Sequence, residues 1–162
     1  MKVVQGGVTA PQGFKANGLC CGIKRSGKLD LALIVSAGPS NAAGCFTTNA
    51  IKAAPVVVTQ RKIRCKKAQA VLVNSGNANC FTGSFGLLYA QRSTEVIAGL
   101  LKIPEKYVLV ASTGIIGQTL PFKKIEAASP ELVRGLNPAN GPKAAQAILT
   151  TDTKIKEIAV EF

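Results

Sequence analysis

Apolar positions in this chain fall mostly into short aliphatic runs separated by glycine, proline and asparagine. Tyr107 to Ala111 is one such run, with the composition of a buried strand, and it breaks into Ser112-Thr113-Gly114. Asp30 to Ser36 and Ala70 to Asn74 have the same character and predict two more strands. Ala43 to Thr48 and Pro55 to Thr59 also read as strands, the second with its proline at the start, where a missing N–H is tolerated. Gly38-Pro39-Ser40 predicts a turn, and the strands flanking it are expected to pair antiparallel. Gly86 to Leu101 differs: Leu87, Ala90, Val96, Ile97, Leu100 and Leu101 recur at helical spacing among strong helix formers. Shorter helices are expected over Lys123–Ala128 and Ala144–Leu149. Strand-like alternation resumes from Ile155 to Phe162, with Ile158, Val160 and Phe162 on one face. The order predicts one α+β domain over residues 1–162, a mixed sheet packed with helices. It lacks the regular β-α-β alternation of a nucleotide-binding sheet.

Composition narrows the classes. At 47% hydrophobic residues the 162-residue chain can bury a real core and is not disordered. Twenty Lys and Arg against eight Asp and Glu give a charge of +12, which suits nucleic acid, an anionic surface, an acidic substrate or an acidic partner. Stacking platforms for single strands need aromatics, and these are 5% with no Trp, so no nucleic acid is expected. The densest basic cluster, Arg61 to Lys67, reads as a solvated loop or partner-facing edge. Leu31 to Ile51 is uncharged, but Gly38-Pro39-Ser40-Asn41 and Thr47-Thr48-Asn49 interrupt it, so it predicts no membrane span. Five cysteines, no Cys-x-x-Cys and no secretory leader predict reduced thiols and a cytoplasmic protein. With no His, a His-based triad is excluded and the cysteines lack the usual partners for a zinc site, so no metal is expected.

Three stretches carry candidate chemistry. Thr113 adds a hydroxyl where Gly114 frees the backbone, and donors fixed there can cradle a developing negative charge; an ordinary tight turn is the structural alternative. Asn74-Ser75-Gly76-Asn77-Ala78-Asn79 is either a turn that satisfies its own backbone or a substrate-side loop. Thr150-Thr151-Asp152-Thr153 is either a cap at a helix end or a set of hydroxyls that orients a polar substrate.

These stretches, with Val8-Thr9-Ala10-Pro11-Gln12-Gly13-Phe14, Gly22-Ile23-Lys24, Asp30 to Ile34, Cys45-Phe46-Thr47-Thr48-Asn49, Lys52 to Val56 and Ala147 to Thr153, resemble the N-terminal part of the ornithine acetyltransferases, or glutamate N-acetyltransferases, of arginine biosynthesis. The resemblance runs nearly end to end. It implies the N-terminal-nucleophile-like fold of self-cleaving acetyltransferases and aminopeptidases, of which this chain is the α-chain part. It implies an oxyanion hole at Thr113 and Gly114, and a substrate contact at Thr150, with Thr151 the alternative. The nucleophile it implies is the N-terminal Thr of a downstream β chain, whose α-amine serves as base. Acetyl then passes from N-acetylornithine to that Thr and on to glutamate, with no bound cofactor and with acetyl-CoA as a donor in some members. An α2β2 assembly is also implied. The chain reaches Phe162 without an Ala-Thr scission dipeptide or a matching Ala-Lys-Gly, so it is expected to be inactive alone. A related self-cleaving aminopeptidase and a basic polyanion-binding module are the competing readings.

Overall fold

The computed structural model describes residues 1–162 throughout. Strand alternation organises its core. In β3 (Leu31–Asn41), Leu31 and Leu33 point to one face of the sheet and Ala32 and Ile34 to the other. The first pair joins Leu72 of β4 (Lys67–Asn77), Val108 of β5 (Val108–Ile115), Ile97 of α2 (Gly83–Leu101) and Ile125 and Leu132 of α3 (Phe122–Arg134). The second pair meets Ala144 and Ala147 of α4 (Gly141–Ala147) and Ala16 of β2 (Phe14–Leu19). Helices therefore cover both faces of a four-stranded sheet ordered β2-β3-β4-β5. β2-β3 and β3-β4 pair antiparallel, while β4-β5 is parallel, with α2 as the crossover. A separate two-stranded ribbon joins β1 (Lys2–Val4) to β6 (Ala159–Glu161). The expected mixed α+β sheet is the one observed.

The edge strand β5 is fastened by α1 (Ala54–Lys62). Thr59 Oγ1 donates to the Val110 carbonyl at 2.6 Å and accepts from the Val110 N–H at 3.0 Å, so one hydroxyl serves both backbone polar groups of a residue that turns them away from β4. Lys62, three residues on, donates to the Val108 carbonyl at 3.1 Å and pairs with Glu105. Burial lowers the Lys62 pKa, with the Glu105 bond opposing. Burial pushes the Glu105 carboxyl up, but the bonds from Lys62 and Thr94 outweigh it and hold its pKa below the ordinary value.

Several expectations are corrected here. Pro55 to Thr59 is helical, not a strand: Pro55 sits in the first turn, and Ala54 and Val58 bury one side against Ala90 and Val110. Ala43 to Thr48 forms no strand; β3 pairs directly with β4. Gly38-Pro39-Ser40 lies inside β3, where the register to β4 shifts between Val35 and Ser40, so it is an irregularity of the strand rather than a turn. Arg61 to Lys67 is not one loop but the end of α1, a 3₁₀ turn and the start of β4, and its Lys62 is half-buried. Only Ala159–Glu161 of the last segment is strand, and Ala159 is its buried position, with Ile158, Val160 and Phe162 exposed. The 86–101 helix is present and starts at Gly83. Its buried stripe is Gly86, Ala90, Ser93, Thr94, Ile97 and Ala98, while Leu100 is exposed.

Candidate active site

β4 and β5 run side by side as a parallel pair, with Ser75 opposite Thr113 and Gly76 opposite Gly114. The strand does not stop at Ser112 as its composition suggests; it continues to Ile115 and is bent inside by Gly114, whose φ is +133°. Only glycine fits there, because a Cβ on Gly114 would stand 2.4 Å from the Gly76 carbonyl carbon. Val108 and Val110 turn their peptide groups away from β4, whereas the Ile115 carbonyl accepts from Ala78 on the β4 side. Alternation along the ladder then directs the Gly114 N–H away from β4.

Gly76, Thr113 and Gly114 line one side of a cleft of about 620 Å³. Thr150 and Thr151 line it too, as do Lys24, Arg25 and Ser26. The structure thus brings Thr113, Gly114, Thr150 and Thr151 together, although 35 residues separate the two motifs (positions 115 to 149 lie between Gly114 and Thr150). Thr150 and Thr151 are exposed, beyond the end of α4, and Asp152 is ion-paired with Lys156.

Sequence reasoning missed the place in the cleft of the segment at 22–28, of which Gly22-Ile23-Lys24 entered only as a motif of the resemblance. Its anchor is Asp30, fully buried, whose carboxylate accepts from the N–H groups of Cys21 at 2.7 Å, Ile23 at 2.6 Å and Lys24 at 2.9 Å. A carboxylate eight residues after Gly22 was the available signal, but it read as part of a strand. Asp30 spends its oxygens on backbone, so the cleft is lined by two cationic side chains and no carboxylate, a field that favours anions. Burial lowers the Lys24 pKa, with the Asp30 charge opposing. Burial, reinforced by Asp30, pushes the neighbouring Cys21 thiol up to about 12.

The asparagine-rich stretch resolves in favour of structure. Asn74, Asn77 and Asn79 are buried. Asn74 donates to the Asn77 carbonyl at 2.8 Å, Asn77 to the carbonyls of Gln118 and Thr119, and Asn79 to Gly86 at 2.9 Å. Their amides brace the chain behind the cleft, and Gly76 alone of this stretch reaches it. A second cavity of similar size, about 630 Å³, lies beside the β1-β6 ribbon; its lining is mainly apolar and Glu161 is its one ionisable side chain.

Fold and cleft define the class: a mixed α+β sheet in which two parallel strands, kept close by facing glycines, carry a cationic, hydroxyl-lined cleft. Residues 15–162 match the model of the ArgJ family, and the chain belongs to that family. It is 46% identical over 160 residues to the arginine biosynthesis bifunctional protein ArgJ of Synechococcus sp., covering 98% of this chain and 39% of that protein. The Gloeobacter violaceus ArgJ protein is 49% identical over 158 residues, covering 97% and 39%. The chain therefore spans about two fifths of the length of these curated relatives. A crystal structure of ornithine acetyltransferase from Mycobacterium tuberculosis, complexed with ornithine, superposes with a TM-score of 0.91 at 41% identity, covering 94% of this chain and 84% of that one. ArgJ from Bacillus halodurans gives 0.88 at 40% identity, covering 94% and 82%. Family membership sets aside the aminopeptidase reading. No helix is long and apolar enough to cross a membrane.

Proposed function

We propose that this chain forms the N-terminal, α-chain part of a cytoplasmic glutamate N-acetyltransferase. It transfers acetyl from N-acetylornithine to glutamate, and acetyl-CoA serves as a second donor. One observation carries the reading: Thr113 and Gly114 share an anion-favouring cleft with Thr150 and Thr151. The nucleophile is the hydroxyl of an N-terminal threonine on a downstream chain, activated by its own α-amine. It attacks the acetyl carbonyl carbon, and the oxygen becomes an oxyanion that accepts from Thr113 Oγ1 and from the Gly114 N–H. The C–N bond then breaks, ornithine leaves with the proton taken from the hydroxyl, and acetyl remains on the threonine. The glutamate amine attacks that ester, a second oxyanion forms at the same donors, and N-acetylglutamate leaves with the threonine restored. Thr150, or Thr151 beside it, hydrogen-bonds the bound amino acid, and Arg25 supplies a field that suits its carboxylate. By itself the 162-residue chain is inactive, and it works in an α2β2 assembly with the downstream chain.

Thr113→Ala in the complete protein, with its downstream segment, tests the assignment. Removing one fixed oxyanion donor typically costs about 100- to 1,000-fold in turnover. We expect that loss in kcat, slower self-cleavage, and a melting temperature close to wild type. A folded, fully processed Thr113→Ala protein with wild-type kcat overturns the oxyanion role.

A further inference from the structure

We propose that Lys24 is a positioning residue, which fixes the Thr150 hydroxyl relative to Thr113 and Gly114 by gripping the peptide in front of Thr150. The proposal rests on the reading of Thr150 as a substrate contact. The Lys24 ammonium donates to the Leu149 carbonyl at 2.6 Å and to the Leu29 carbonyl at 2.8 Å. The Leu149 carbonyl belongs to the same planar peptide as the Thr150 N and Cα. Holding that oxygen therefore sets where Thr150 starts and which way its side chain leaves the backbone. The last carbonyls of a helix have no partner within it, and a lysine is suited to bind them. α4 ends at Ala147, and two groups far away in sequence secure the chain as it leaves the helix: Lys24 at Leu149, and the buried Ser75 hydroxyl at the Ala147 carbonyl.

The other end of the same lysine is tied to the strand pair. Its N–H is held by buried Asp30, and its Cγ lies where a Cβ on Gly76 would stand 3.0 Å away. Gly76 in turn faces Gly114 across the β4-β5 pair. One side chain thus runs from the glycine pair under the proposed oxyanion site to the peptide that carries Thr150. It fixes the distance between the group that orients the substrate and the donors that meet its reacting carbonyl. A displacement of that peptide moves the substrate contact without touching the oxyanion donors, so binding suffers more than turnover.

The test uses Lys24→Met, which keeps the aliphatic stem, and Lys24→Arg, which keeps cationic donors, each in the complete protein. Hydrogen exchange reads the grip directly. The amides of Ile148 and Leu149, which bond to Ala144 and Gln146, should exchange about tenfold faster in Lys24→Met, the scale of losing one charge-assisted hydrogen bond. Amides in the centre of β4 and α2 should keep wild-type protection, and Lys24→Arg should restore most of the loss at Ile148 and Leu149. In acetyl transfer, Lys24→Met should raise KM for the N-acetylated donor about tenfold, with a smaller fall in kcat. Adding it to Thr150→Ala should cost less than about twofold more, because the lysine acts through that residue. Unchanged exchange at Ile148 and Leu149, or effects of Lys24→Met and Thr150→Ala that simply multiply, would overturn the proposal. If the unmutated protein transfers no acetyl group, the functional reading fails separately and the exchange measurement still decides whether Lys24 holds the peptide.

Discussion

Gly114→Ala probes the join between the two parallel strands. At φ +133° an alanine is strained whatever the space, and such backbone strain costs about 1–3 kcal/mol. Its Cβ would also stand 2.4 Å from the Gly76 carbonyl carbon, 2.6 Å from the Asn77 nitrogen and 2.8 Å from the Gly76 Cα. All three are backbone atoms of β4, so no side-chain rotation relieves the contact and the strands must move apart. Overpacking of this kind costs about 1–3 kcal/mol more. The two contributions give roughly 2–6 kcal/mol, and at this chain length each kcal/mol lowers the melting temperature by about 2–4 °C. The expected fall is about 5–20 °C. Gly99→Ala is the matched control. Gly99 lies in α2 with nothing within 4 Å of an added Cβ, and the same substitution there should raise stability by up to about 1 kcal/mol. Thermal melts followed by circular dichroism at one protein concentration compare the two. A Gly114→Ala protein melting within about 2 °C of wild type would refute the close-approach argument.

Other outcomes follow from the anchors around the sheet. Thr59→Val removes the hydroxyl that serves both polar groups of Val110 and should cost about 1–3 kcal/mol, with faster exchange at the Val110 amide; unchanged denaturant midpoints would contradict it. The Glu105 pKa is depressed on folding, so its contribution is fully present above the ordinary carboxylate value of 4.5 and is lost as pH falls through the folded value. Wild type should therefore lose stability faster than Glu105→Gln as pH is lowered below that point, and parallel melting curves would contradict the pairing. Cys21, with its pKa near 12, is about one part in ten thousand thiolate at pH 8 and should resist iodoacetamide while exposed Cys20, Cys45 and Cys65 react. Peptide mapping that finds Cys21 modified as fast as Cys20 would contradict its burial behind Asp30.

Elements whose burial is decided within a few neighbouring residues are legible in the chain alone. The aliphatic runs of β4 and β5 have no polar side along much of their length, and the helix at 83–101 carries its own period, so the type of each is legible alone although its ends are not. The glycine of Thr113-Gly114 and the hydroxyl pairs were also visible as candidates, and the motif order pointed to the family. The tertiary structure decided the cases in which a segment's own preference loses. Val56-Val57-Val58 suits a strand, yet it is helical, because a helix lets Val58 pack on Ala90 and Val110 while Thr59 reaches the edge of β5. Gly38-Pro39-Ser40 suits a turn, yet pairing with β4 resumes at Ser40 and carries the chain through it. Nor does any local pattern encode that Lys24 meets the carbonyl of Leu149, 125 positions away, or that Gly76 must face Gly114. Such contacts join segments that share no periodicity, and the free energy that selects them is gained only when the sheet closes and buries both partners together.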